Sequence, residues 1–128
     1  MSLAAYDIDG TLARSGGPLG ERKPIPKVVE QLKRDKAKGD VAYVTNRPKR
    51  LEAITREWLK KRRLPDGRLM MAADMDTMKS KQKNLDKLKP DVMYENDKRI
   101  VRGVKGHEVK HIDDIEVAKS QSPFFRSQ

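Results

Sequence analysis

The chain has 128 residues, with 29 Lys and Arg against 19 Asp and Glu, a net charge of +10 and no cysteine. That is the length of one domain with a single modest core. The lack of cysteine excludes disulfides and thiolate metal sites, and no apolar run nears the roughly 18 residues of a membrane span. Charged residues make up 38% of the chain, yet the apolar ones recur in periodic runs, so a globular domain is expected rather than a disordered one. The start "MSLAAYDID" meets acidic residues too early for a signal peptide. A cytoplasmic location without a membrane partner is expected. The basic surplus favours nucleic acid or another phosphorylated partner.

The elements follow in order. "LAAYDI" reads as a buried strand, and the Gly/Pro-rich residues 10–24 as a loop. Pro26 suits a helix N1 position; Ile25, Val28, Val29 and Leu32 then keep helical spacing, and Gly39 fits the helix end. "VAYVT" (41–45) is a second strand, followed after Pro48 by a helix with Leu51, Ile54, Trp58 and Leu59 on one side. "LMMAA" (69–73) is a third strand, and Lys79 to Lys89 a helix with Leu85 and Leu88 inward. "DVMYE" (91–95), a short helix marked by Ile100, Val101 and Val104, and "EVKHI" (108–112) complete the series. Strands alternating with helices predict a parallel α/β sheet with right-handed crossovers. Residues 1–128 form one domain, in which 113–128 is a tail that frays or docks through Phe124 and Phe125.

Ligands of open α/β sheets sit beyond the C-terminal strand ends. Asp7 and Asp9 fall at one such end, Thr45 at the next, and Asn96 and Asp97 at another. Two carboxylates on one strand end repel each other, and hard oxygens with open positions suit Mg²⁺. Asp9-Gly10 is also a hairpin-turn pair, but "TLARSGG" lacks the alternation of a partner strand.

At this point the residues resemble a known family. "YDIDGT" (6–11) matches the first motif of the haloacid dehalogenase superfamily of phosphohydrolases, a strand followed by D-x-D-G-T. The strand ending in Thr45 and followed by "NRP" is similar to the second motif, a lysine near 79–81 to the third, and "YENDKR" (94–99) to the fourth. The resemblance covers most of residues 3–112, and within the superfamily the chain is most similar to the 3′-phosphatase domain of polynucleotide kinase-phosphatase. It implies a Rossmann-like three-layer sandwich around a mainly parallel five-stranded sheet. The short links leave no room for the cap modules of larger members, and an uncapped site suits bulky substrates such as nucleic-acid ends.

The resemblance also implies a mechanism. Asp7 attacks phosphorus and forms an aspartyl-phosphate; Asp9 protonates the leaving oxygen and then deprotonates water; Thr45 bonds the phosphoryl oxygens; a lysine neutralises their charge. Gly10, Thr11 and Asn46 carry over as substrate-binding members of the first two motifs. Mg²⁺ falls to Asp7, the Asp9 carbonyl and Asp97, with Asn96 or Glu95 secondary, because Asn96-Asp97 stands where two acidic residues are frequent. Lys81 is the preferred lysine, since Leu85 four residues on faces inward; Lys79 is the alternative.

Residues 47–63 carry eight Lys and Arg against Glu52 and Glu57. Arg47 and Arg50 stand near Thr45, where they can meet a backbone phosphate, while Lys60 to Arg63 read as a solvated face. The expected activity is therefore a Mg²⁺-dependent phosphatase of nucleic-acid 3′-phosphate ends. The alternatives are a phosphatase of a small phosphometabolite, a nonenzymatic basic nucleic-acid-binding module and a receiver-like domain. No GxxxxGK(S/T) loop is present, so any kinase or ligase activity belongs to another chain. "HEVKH" (107–111) fits the H-E-x-x-H zinc pattern, but that chemistry needs a helix and this run reads as a strand.

Overall fold

The computed structural model describes residues 2–116, and the expected docking of Phe124 and Phe125 lies outside them. Strands and helices alternate: β1 (Ser2–Tyr6), α1 (Pro26–Lys38), β2 (Gly39–Val44), α2 (Glu52–Lys61), β3 (Arg68–Met70), α3 (Thr77–Leu88), β4 (Val92–Glu95), α4 (Lys98–Gly103) and β5 (Val109–His111). All strand pairs are parallel, in the order β3-β2-β1-β4-β5. The order reverses at β1, which places the C-terminal ends of β1, β2 and β4 side by side.

The alternation of side chains across the sheet builds two cores. Tyr6, Tyr43 and Tyr94 point to one face, where Val28 and Leu32 of α1 and Trp58 and Leu59 of α2 meet them. Ala5, Val44 and Met93 point to the other, against Leu85 of α3 and Ile100 of α4. Each large side chain so buried contributes roughly 1.5–3 kcal/mol. The Tyr6 and Tyr94 rings stack with centroids 4.9 Å apart. The Tyr6 hydroxyl donates to Asp35 of α1, and burial together with that carboxylate pushes its pKa far up.

Pro26 occupies the first turn of α1 as its fixed φ predicts. Gly39 ends α1 and begins β2 directly, with an extended φ of 178°. Its lack of a side chain serves close approach: a Cβ there would collide with Ser2 of β1.

Several boundaries shift for local reasons. A 3-10 turn over Lys49–Leu51 precedes α2, closed by Leu51 N–H on the Pro48 carbonyl at 2.9 Å. β3 stops at Met70, because Ala72 N–H turns to the Arg47 carbonyl. α3 starts at Thr77, because the Asp76 carboxylate accepts Lys79 N–H and caps it. The tail is ordered further than expected: Ile112–Asp114 form a 3-10 turn and Ile115 joins the first core. Among the described residues, the links after β1 and β2 hold no inserted module. No helix among them is long and apolar enough to cross a membrane.

Candidate active site

Asp7 is the first residue beyond β1, and its N–H bonds the Tyr94 carbonyl of β4 at 3.1 Å. The chain must then turn back at once. Three successive amides, from Thr11 to Ala13, converge on the Ile8 carbonyl at 2.9–3.1 Å, and Gly10 takes a φ of +79°. That left-handed conformation favours glycine. A Cβ at position 10 would also collide with the Asn96 side chain, so Gly10 is doubly required.

The turn gives the two aspartates different environments. Asp7 is buried, with Oδ1 accepting from Lys81 Nζ at 2.8 Å and Oδ2 from Thr11 Oγ1 at 2.9 Å. Asp9 is more open and held by two arginines. Arg47 forks onto it, Nε to Oδ2 and Nη2 to Oδ1, both at 3.0 Å, and Arg22 Nη1 reaches Oδ1 at 2.6 Å.

Lys81 projects from the buried side of α3, one turn before Leu85, and is only 2% exposed. Its ammonium bridges Asp7 and Glu95, the latter at 2.6 Å from Oε1. Burial alone would lower the Lys81 pKa, but the two carboxylates hold it above the ordinary lysine value. Glu95 is buried at the end of β4; desolvation and then Asp7 push its pKa up to about 7 against the pull of Lys81. Its Oε2 accepts the N–H groups of Asn96 and Asp97 at 3.0 and 2.9 Å.

The Asn96 amide tip meets four oxygens: Asp7 Oδ2 and the Asp9 carbonyl at 3.0 Å, Glu95 Oε2 and Thr11 Oγ1 at 3.1 Å. With nitrogen at that tip the amide donates into them. With oxygen there, it joins the same oxygens as a ligand that a cation between them could share. Oxygens about 3 Å apart match neighbouring ligands in an octahedron of 2.0–2.1 Å bonds, and the set is all-oxygen, as Mg²⁺ requires. The residues therefore fit a small divalent cation.

An open cleft of about 330 Å³ exposes this group to solvent. Asp7, Asp9, Asn46, Arg47, Lys81 and Asp97 line it, as do Glu95 and Asn96. Gly10, Thr11 and Thr45 do not line it; Thr45 is fully buried, and its Oγ1 accepts Arg47 N–H at 3.1 Å. Asn46 Nδ2 donates to the Thr77 carbonyl at 3.2 Å. Asp97 caps α4 through Arg99 N–H and pairs with the exposed Arg99 guanidinium at the edge of the same cleft. Arg50 is exposed in the 3-10 turn before α2 and does not line the cleft, because that turn carries it outward. Lys79, the alternative to Lys81, is exposed.

Arg22 escaped the reading of the sequence. It sits in a loop with no periodicity, and only the fold reveals its partners: Nε on the Gly16 and Gly17 carbonyls, Nη1 on Asp9, and a carbonyl held by Trp58 Nε1 and Arg62 Nη2. Arg62 is consequently half-buried over Trp58 and not part of a solvated face.

The model of the family "PITM 1-3, LNS2 domain" matches residues 4–121. No curated protein matches. A solved structure titled "Structure of Pnkp1/Rnl/Hen1 complex" is similar, with a TM-score of 0.75 at 16% identity, covering 86% of this chain and 45% of that one. The chain thus spans less than half the length of that relative. Together they support the haloacid dehalogenase-like phosphatase fold to which the sequence motifs point.

Proposed function

The chain belongs to the LNS2 domain family, and we propose that it is a Mg²⁺-dependent phosphatase that works through an aspartyl-phosphate on 3′-phosphate ends of nucleic acid. The observation that carries the chemistry is the contrast between the aspartates: Asp7 buried against Lys81, Asp9 open to the cleft on an arginine fork.

A carboxylate oxygen of Asp7 attacks phosphorus, the bond to the leaving oxygen breaks, and Asp9 gives that oxygen its proton. Asp9 then takes a proton from water, which attacks the phosphorus of the acyl phosphate; inorganic phosphate leaves and Asp7 is regenerated. Splitting one hard displacement into two is what a nucleophilic carboxylate achieves, and the partner must change protonation state between them. Lys81 balances the negative charge gathered at Asp7, and Arg47 presents a planar fork to phosphate oxygens. Mg²⁺ would be held by Asp7, the Asp9 carbonyl and Asp97, with Asn96 facing the same oxygens, and would neutralise charge on the transferring phosphoryl group.

The +10 charge and the uncapped cleft support a nucleic-acid substrate. The test is kcat/KM with Mg²⁺ across a salt series for a 3′-phosphorylated oligonucleotide, the matching mononucleotide and small phosphometabolites. The oligonucleotide should be preferred and show the steeper salt dependence, because neighbouring phosphates release counterions on binding. Equal rates and slopes would reassign the enzyme to a small phosphometabolite. No turnover of any ester would leave a basic binding module.

A further inference from the structure

The "HEVKH" run divides into two separate roles. His107 Nε2 pairs with Asp86 Oδ1 of α3 at 2.8 Å. His111 is the last residue of β5 and the partner of Glu95 in the register. Its Nε2 lies 2.9 Å from the Asn96 carbonyl oxygen, and its Nδ1 lies 3.0 Å from Asp113 N. A carbonyl only accepts and an amide N–H only donates. Both contacts are satisfied by one tautomer, with hydrogen on Nε2 and a lone pair on Nδ1. Asp113 Oδ2, 3.4 Å from Nδ1, is the longer contact.

Asn96 lies one residue beyond β4, so its carbonyl has left the sheet ladder and His111 supplies its donor. Glu95 Oε2 holds the N–H of the same residue. Asn96 is thus held through the peptide groups on both sides of its Cα, and its side chain carries the amide tip into the cluster of Asp7, Asp9 and Thr11 oxygens.

We propose that His111 is a positioning residue: as the Nε2–H tautomer it fixes the Asn96 peptide and, through it, the amide tip in that oxygen cluster. The inference rests on the reading of this cluster as the Mg²⁺ end of a phosphatase site. A ring that only filled space would be replaceable by phenylalanine without loss; a hydrogen-bond donor would be replaceable by glutamine.

The experiment compares wild type, His111→Phe and His111→Gln by nitrogen NMR of the Asn96 side-chain amide and by the Mg²⁺ concentration for half-maximal turnover. His111→Phe should move the Asn96 signal to that of a solvated amide and raise the Mg²⁺ requirement about tenfold, the low end for a lost outer-shell partner, with KM unchanged. His111→Gln should keep the wild-type signal and most of the Mg²⁺ response. A wild-type signal in His111→Phe, or a Gln variant as impaired as the Phe variant, would overturn the proposal. So would an Nδ1–H tautomer in the wild-type spectrum, which decides the matter even if the Phe variant fails to fold. If wild type hydrolyses no phosphate ester while the Asn96 signal still follows the Phe and Gln pattern, the phosphatase reading falls and the positioning role stands.

Discussion

Lys81 and Asp7, 74 residues apart in sequence, meet in a buried ion pair with Nζ 2.8 Å from Oδ1. Glu95 shares the same ammonium. One cation thus holds two carboxylates out of water. Lys81→Met keeps the length of the side chain but strands both acids, and breaking such a buried pair costs about 3–5 kcal/mol. Urea denaturation at neutral pH should show that loss together with loss of turnover. A variant as stable as wild type would mean the pair is not buried as described.

Glu95 gives the protein a pH-dependent stability. Its carboxyl is raised from 4.5 to about 7 in the folded chain. The folded state therefore binds more protons than the unfolded one between those values. Stability should fall as pH rises through that window, by at most about 3 kcal/mol. Denaturation of the metal-free protein across pH 4.5–7 measures the slope. Glu95→Gln should flatten it, and Asp7→Asn should shrink it by removing the negative neighbour. Parallel curves for wild type and Glu95→Gln would contradict the assignment.

Gly10→Ala tests the turn that separates the two aspartates. A left-handed alanine costs about 1–2 kcal/mol, and its methyl would also push on Asn96. Melting temperature and turnover should both fall. Gly20→Ala, with nothing near the added carbon, should leave both unchanged.

Much of this arrangement was legible in the sequence, and the reasons differ by residue. Asp7 and Asp9 were legible because an apolar strand ends on them, and Lys81 because Leu85 fixes which side of α3 is buried. Arg22 was not, because its role comes from a loop folding back across the sheet. Arg50 was misplaced because the helix pattern cannot show that the chain first makes a 3-10 turn. The pairing of Glu95 with Lys81 was not legible, because spacing does not reveal which acid turns inward. The structure aims Asp97 at Arg99 and Glu95 at Lys81.

The arginine fork predicts a ranking. Arg22→Met and Arg47→Ala release Asp9 from its position, and small misplacements of a reacting group cost on the order of 100-fold in rate. Both should lower kcat by about 10- to 100-fold in steady-state assays. Arg50→Ala, exposed and away from the cleft, should lower only the salt slope on an oligonucleotide, by about one phosphate contact at most. Equal losses at positions 22, 47 and 50 would show that general charge matters and the fork does not.

The central claim is that Asp7 carries the phosphoryl group. Turnover of a phosphorylated substrate with Mg²⁺ should be quenched in acid and the peptides mapped by mass spectrometry. The account predicts a hydroxylamine-labile phosphoryl group on the peptide containing Asp7, and neither label nor turnover in Asp7→Asn. Undiminished turnover by Asp7→Asn, or a label on any other residue, would contradict it.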